Sequence, residues 1–355
     1  MNLPRPLQIL DEVNKNYPKL FDFCTNYLAF LKDSFAWNES CFCPLEVFRA
    51  IMEQYAKENN HILNDAGNYI LYNSLFNWKR YCQIYDFDSD FVNVLIKSAT
   101  DNVRIDEALA CLPFPSFYVN INGENEFVID DDFLFNSSGD FAGGYVTGFF
   151  VNRNASIHPK YDYNKSEEIT TVSFDVYLSG GASFSYEICI GKGMTLKDSF
   201  EYMRSHHEVI NMTEEKFSTL ESAIEKIMVM LFYICAINAD MTESKKQKTI
   251  RKTNINPTSK IAKEVKKIKI NDVGYEVGKA IRLSTTVESD VENNTYSHVG
   301  SHSPKRPHQR RAHFHTYWVG SEKDGSRHTE IKWVNSIFVH LNSGETVTKI
   351  TPVKV

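Results

Sequence analysis

Between Thr213 and Ile237 the chain places Phe217, Leu220, Ile224, Ile227, Leu231 and Ile234 on one helical stripe, and the second half of that stretch is apolar all round. A helix with no wetted face has to be covered on every side, and the usual cover is a β-sheet. A bilayer does not compete for it. The longest apolar run, Ile227–Ile237, falls well short of the roughly 20 residues that cross a membrane. The rest of the sequence must therefore supply a sheet.

The strands lie upstream. From Phe117 to Arg153, and again from Glu168 to Ile190, short β-branched and aromatic runs are separated by Gly, Asn and Asp turns. "EITTVSFDVYL" and "SFSYEICI", joined by "SGGA", have the form of a hairpin. "GKGMTLKDSFEYMR" then opens a helix, with Thr195 and Asp198 spaced as a capping box. The first 112 residues read as helical: apolar residues recur every three or four positions in "LQILDEVNKNYPKLFDFCTNYLAFLKDS", "PLEVFRAIMEQYAKENN" and "AGNYILYNSLFNWKRYCQIY", with Pro18 breaking the first. Phe21, Phe23, Tyr27, Phe30, Phe35 and Trp37 read as the core of that layer. Farther on, "VGYEVGKAIRLS" reads as a strand, and "ESDVENNTYSHVGSHSPKRPH" as a polar, mobile loop.

The expected fold is α+β: a helical N-terminal layer, then a mainly antiparallel sheet packed on the long buried helix. The chain divides into a helical domain at 1–112, an α+β domain at 113–240, a basic linker at 241–265, and C-terminal strands at 266–355 that complete the sheet.

Charge is unevenly shared. Residues 1–241 hold 18 Lys and Arg against 34 Asp and Glu, whereas residues 242–355 hold 21 against 11. Such a split suits either a polyanionic or acidic partner for the basic part, or attraction between the two halves themselves. The seven cysteines include no CxxC pair, which points to reduced thiols in a cytoplasm rather than a disulfide frame or a zinc ribbon. The N-terminus lacks a signal-peptide layout, so a soluble cytoplasmic protein with no membrane partner is expected. "IGKGMT" fails as a phosphate loop, because Gly193 stands where the motif needs Ser or Thr and Tyr186 where it needs Gly. Asp130–Asp132 and His206–Glu208 read as solvated turns.

The chemistry concentrates near the end, in "SPKRPHQRRAHFHTYWVG". Ala312–Val319 reads as a strand, "SEKDGS" as a turn and "RHTEIKWV" as a returning strand. Alternation sets Arg311, His313, His315 and Tyr317 on one face, with Ala312, Phe314, Thr316 and Trp318 on the other. A register that keeps the apolar faces together puts Phe314 opposite Ile331, His315 opposite Glu330, His313 opposite Lys332 and Tyr317 opposite His328. Phe314, Trp318 and Trp333 are then the expected core, and the polar face is the candidate site. Four uses of that face stay open: a buried polar network, a binding surface of Arg and aromatic groups, a metal-independent ribonuclease using His313, His315 and Lys332, or a metal site with Glu330. No metal site and no cofactor are assigned.

These same residues carry a resemblance. Lys305, Arg306, Pro307, His308, Arg310, Arg311, His313, His315, Tyr317, Trp318 and Gly320, followed by Trp333, Phe338 and Val339, resemble the basic His-x-His-x-Tyr-Trp signature of the second type V-A anti-CRISPR family. The likeness extends faintly back through "VGYEVGKAIRL" and "LFYICAINADMT" to "LPFPSFYVNING". It implies a protein of a phage, plasmid or other mobile element acting in the bacterial cytoplasm. Such a protein recognises the type V-A CRISPR effector polypeptide and causes its mRNA to be lost during translation. The acidic and basic halves of this chain suit one that holds a polypeptide near RNA or the ribosome; no catalytic residue is assigned, and whether the chain is itself an enzyme stays open. Lys305, Arg306, His308, Arg310, Arg311, His313, His315 and Tyr317 of this stretch, with Glu330 on the facing strand, are the expected binding residues. The alternative is a histidine-dependent ribonuclease or RNA-binding protein of a mobile element.

Overall fold

The computed structural model describes residues 3–59, 67–98, 100, 103–129, 143–159, 170–206, 214–246, 260–288, 308–310, 312–335 and 337–339. Four helices come first: α1 (Arg5–Asn16), α2 (Leu20–Leu31), α3 (Leu45–Asn59) and α4 (Gly67–Tyr81). The break at Pro18 is real, with Lys19 at φ 67° turning the chain between α1 and α2. Between α2 and α3, β1 (Phe35–Ala36) pairs with the short β6 (His158–Pro159).

Next come β2 (Gln83–Phe87), α5 (Ser89–Leu95), α6 (Ile105–Ala110), β3 (Ser116–Ile121), β4 (Val128–Ile129) and β5 (Gly144–Ala155). The expected hairpin follows as β7 (Thr170–Leu178) and β8 (Ser183–Ile190), paired antiparallel. Helix α7 (Leu196–His206) starts on the expected capping box: Asp198 accepts from the Thr195 N–H at 2.7 Å and hydroxyl at 2.8 Å, while Thr195 accepts from the Asp198 N–H. The long helix is α8 (Glu214–Cys235), and beyond it lie β9 (Met241–Glu243), α9 (Lys260–Lys267), β10 (Lys269–Val273) and α10 (Tyr275–Glu288). The chain ends its described part in β11 (His308–Arg310), β12 (His313–Val319), β13 (His328–Val334) and β14 (Ile337–Val339).

The sheet expected as mainly antiparallel is mixed. Its order is β8–β7–β5–β3–β2–β10–β9 with β4 added on β5, and its middle, β3–β2–β10, is parallel. Helices cover both faces. Ile84, Tyr118, Phe150, Tyr177 and Ile270 pack towards α1–α4 and α9, while Tyr85, Phe87, Phe117, Val119, Phe149 and Phe174 pack towards α5–α8.

Three departures from the sequence reading have physical causes. Of the strands beyond residue 266, β10 lies in the sheet, whereas β11–β14 form ladders of their own, β12–β13 and β11–β14. Strand β2 lies inside the stretch read as helical. All five of its residues are buried, so it has no polar alternation to betray a strand. "VGYEVGKAIRLS" is strand only as far as Val273. Gly274, at φ 71°, turns the chain, and a Cβ there would run into the Phe91 ring. Helix α10 then starts with a cap from far away, the Asp240 carboxylate accepting from the N–H groups of Glu276 (2.8 Å) and Val277. In the stretch read as a basic linker, Val265 of α9 is buried against the helical layer. Residues 247–259, the aspartates at 130–132, and 289–307 of the expected mobile loop lie outside the described residues.

A buried polar chain joins the helical layer to the sheet. Ser74 of α4 and Ser185 of β8 donate to the Asp175 carboxylate; Asn152 donates to Ser74 at 2.6 Å, and Ser116 to Asn152 at 2.5 Å. Burial pushes the Asp175 carboxyl up, and the two serine hydroxyls only partly oppose it. Folding therefore favours the protonated acid. That increment of stability is complete below the ordinary aspartate value of about 3.9 and is lost as pH rises through the folded-state value. Asp175→Asn removes the loss. In urea unfolding, the stability difference between variant and parent should shift in the variant's favour as pH is raised from about 4 to about 7.

Candidate functional site

The C-terminal hairpin is held to the body by its apolar face. Phe314, Ile331 and Trp333 are buried in the main core. Phe314 meets Phe232 edge-on at 5.9 Å between ring centres, and Trp333 meets both Phe91 (5.4 Å) and Tyr233 (5.5 Å). Trp333 also donates its indole N–H to Ser98 at 3.1 Å. The segment after α8 laces one edge of β13: Ile237 donates to the Ile331 carbonyl, and the Asn238 side chain bonds both the N–H and the carbonyl of Trp333.

The face assignment of the strands is as the alternation predicts, but the register is displaced by two residues. Phe314 stands opposite Trp333, His315 opposite Lys332, Tyr317 opposite Glu330 and Val319 opposite His328. Trp318 is a correction. It lies beyond the reach of the core at the turn end of β12 and is 57% exposed, with the Arg327 guanidinium 4.6 Å above its ring.

On the outward face the His315 and Tyr317 rings lie 4.2 Å apart, the Lys332 ammonium sits 5.1 Å from the Tyr317 ring centre, and Tyr317 is 40% exposed. His328 donates from Nδ1 to the Ser326 carbonyl at 3.0 Å and sits 3.5 Å from Glu330; the first contact and then the second raise its pKa above the ordinary histidine value. The turn is tied by Ser326 and Asp324, with Gly320 and Gly325 at positive φ.

His313, His315, Tyr317, Glu330 and Lys332 are thus brought onto one surface. Strand β11 carries His308 and Arg310 and pairs with β14, continuing the β12–β13 register; the side chains of those two residues, and all of Lys305, Arg306 and Arg311, lie outside the described residues. Among the described residues no group of three or more His, Cys, Asp and Glu is arranged to hold a metal ion.

A second polar cluster has no counterpart in the sequence reading. Asp86, buried at the carboxyl end of β2, accepts from Asn120 (2.7 Å), Asn122, Lys246 (2.5 Å) and the Tyr275 hydroxyl (3.3 Å). Burial works against the Lys246 charge, yet the hydrogen bonds to Asp86 and Tyr275 outweigh it and hold the ammonium's pKa above the usual lysine value. Beside it Arg282 of α10 bonds both Asp88 and Asp90. Asp86 meets Lys246 and Tyr275 across 160 and 189 residues of chain, so no local spacing could have announced the cluster. Each of its acceptors is satisfied, and its chemistry is that of a clamp between the acidic and basic parts.

Helices on both faces of a mixed sheet, with an aromatic, cation-bearing hairpin pinned to one side, define an α+β protein. Residues 85–341 match the family model described as "AcrVA2-like: Anti-CRISPR type V subtype A2 family", and the chain belongs to that family. The matched span begins at β2 and takes in the Asp86 cluster and the hairpin, but not α1–α4. The fold is similar to a solved structure titled "Crystal structure of AcrVA2", with a TM-score of 0.57 at 16% identity, covering 96% of this chain and 100% of that one. The helical layer is therefore part of the shared fold. No curated protein matches the chain. No helix among the described residues is long and apolar enough to cross a membrane.

The two tryptophans of the hairpin should separate cleanly. Trp333→Ala removes a buried ring and its hydrogen bond and should cost about 3–5 kcal/mol. Trp318→Ala removes an exposed ring and should stay within about 0.5 kcal/mol of the parent in the same denaturant titration.

Proposed function

We propose that this chain is an anti-CRISPR regulator that recognises the type V-A effector polypeptide and lowers its production by causing its mRNA to be lost during translation. Family membership supports the effector as target. The observation that carries the binding surface is the exposure of Trp318 and Tyr317 on a hairpin whose other aromatic residues are buried. Folding does not need those two rings in water, whereas exposed Trp and Tyr flanked by Arg and Lys are the residue types that concentrate binding energy at interfaces. Arg327 and Lys332 hold them in place from above. In this reading His313, His315, Tyr317 and Glu330 meet the client, His308 and Arg310 continue the surface along β11, and Lys305, Arg306 and Arg311 belong to the same basic approach.

The test is a cell producing the effector together with this chain, with effector transcript and protein both measured. The parent chain should lower both. A Tyr317→Ala, Trp318→Ala chain should remain folded, leave the effector transcript at its uninhibited level, and bind purified effector polypeptide weaker by about 2 kcal/mol, roughly thirtyfold. Full silencing by that variant would remove the surface from the proposal. Cleavage of RNA by the purified chain in EDTA, lost in a His313→Ala, His315→Ala variant, would replace the proposal with a histidine-dependent ribonuclease.

A further inference from the structure

The backbone of the hairpin carries more information than its side chains. Trp333 spends its N–H and its carbonyl on the Asn238 side chain, and the Ile331 carbonyl takes the Ile237 N–H. These groups point away from β12. In an antiparallel ladder, pairs that exchange both hydrogen bonds alternate with pairs that exchange none. The pairs 314/333, 316/331 and 318/329 are therefore of the second kind. It follows that the N–H and carbonyl groups of Phe314, Thr316 and Trp318 point to the opposite edge of the hairpin, away from β13. Among the described residues, that edge has no backbone partner.

An open edge is ordinarily blunted by proline, lysine, a bulge or a covering loop. Strand β12 reads His-Phe-His-Thr-Tyr-Trp-Val, and its register with β13 runs without a bulge. Among the described residues none of those devices interrupts it. The inner end at Phe314 is buried, but Thr316 is only half-buried and Trp318 is exposed, so the reachable edge lies towards the turn.

We infer that the outer edge of β12, from Thr316 to Val319, receives an extended segment of the effector polypeptide as an added strand. This rests on the client reading above and states how the client is held. Backbone hydrogen bonds to Thr316 and Trp318 supply the attachment, and alternate side chains of the incoming strand fall on the two faces of the hairpin. Those on one face lie beside Trp318; those on the other lie beside His315, Tyr317 and Lys332. The fitting segment alternates apolar or aromatic residues with acidic ones and lacks proline.

Residue-resolved amide exchange of the full chain, with and without overlapping synthetic peptides spanning the effector sequence, tests this. Peptides of that pattern should slow exchange at Thr316 and Trp318 by about tenfold or more while changing His315 and Tyr317 little, because their amides are already paired within the hairpin. Thr316→Pro, which removes an outward N–H at an edge position that tolerates proline, should lose the peptide and the intact effector; Thr316→Val should keep both. If the Thr316→Pro chain captures intact effector as well as the parent does, and the parent's edge amides do not respond, the strand-addition inference falls and the client reading stands. If the parent binds neither the peptides nor the effector, both fall. Slowed exchange at the same amides that tracks chain concentration without peptide would assign the edge to a second copy of this chain and overturn the inference.

Discussion

Helix α8 is the element that the rest of the molecule is arranged to cover. From Ile227 to Tyr233 every side chain is at most 2% exposed, so no side of that stretch can face water without forfeiting about 1.5–3 kcal/mol for each large side chain uncovered. One sheet face cannot wrap a helix. The sheet covers one side, α5 and α6 lie against others, and the C-terminal hairpin closes what remains through Phe314, Ile331 and Trp333. The hairpin is therefore structural on its apolar face whatever its polar face does. This is why residues 312–334, distant in sequence from the sheet, belong to the same core as Phe117 and Phe174.

The charge division of the chain has a structural answer in part. Lys246 and Arg282, from the basic C-terminal portion, close on Asp86, Asp88 and Asp90 of the acidic portion. Asp240 and Asp88 cap α10 and α5 through backbone N–H groups. These contacts gather where the parallel strands β3, β2 and β10 end, and they fix α10 beside α5. Attraction between the halves thus accounts for the cations at 246 and 282. It does not account for Arg327 and Lys332, which lie over exposed aromatic rings instead of buried carboxylates.

What could be read from the sequence follows from how far each signal reaches. The long helix, the β7–β8 hairpin, the Thr195–Asp198 cap and the two faces of β12 and β13 all depend on residues within a few positions of one another, and each is found where the periodicity places it. The register of β12 and β13 differs by two residues from the one the apolar pattern suggests, because a two-residue slip keeps every side chain on its own face and the pattern cannot tell the two apart. The same alternation puts Trp318 on the core face; it gives a face but not how far the neighbouring core extends beneath it. Strand β2 and helix α10 depend on partners more than 30 residues away: β2 on two flanking strands that bury it, α10 on a carboxylate before β9. The candidate surface was visible as a pattern of His, Tyr, Arg and Lys; the Asp86 cluster was not visible at all.

The hairpin combines two properties that usually exclude each other. One edge and one face are locked, by Asn238 on the backbone of Trp333 and by three buried side chains. The other face carries the exposed Tyr317 ring, the outer end of the strand carries Trp318, and the free edge carries backbone groups with no partner among the described residues. A free two-stranded hairpin would be marginally stable, and a partner would have to order it on binding. Anchored to α8 and to the Ile237–Asn238 segment, it presents Thr316, Tyr317 and Trp318 already in strand conformation, so the ordering cost is met by the fold of the chain rather than by the partner. The buried helix thus does more than fill a core. By demanding a lid, it supplies the rigid backing that makes an exposed strand edge usable.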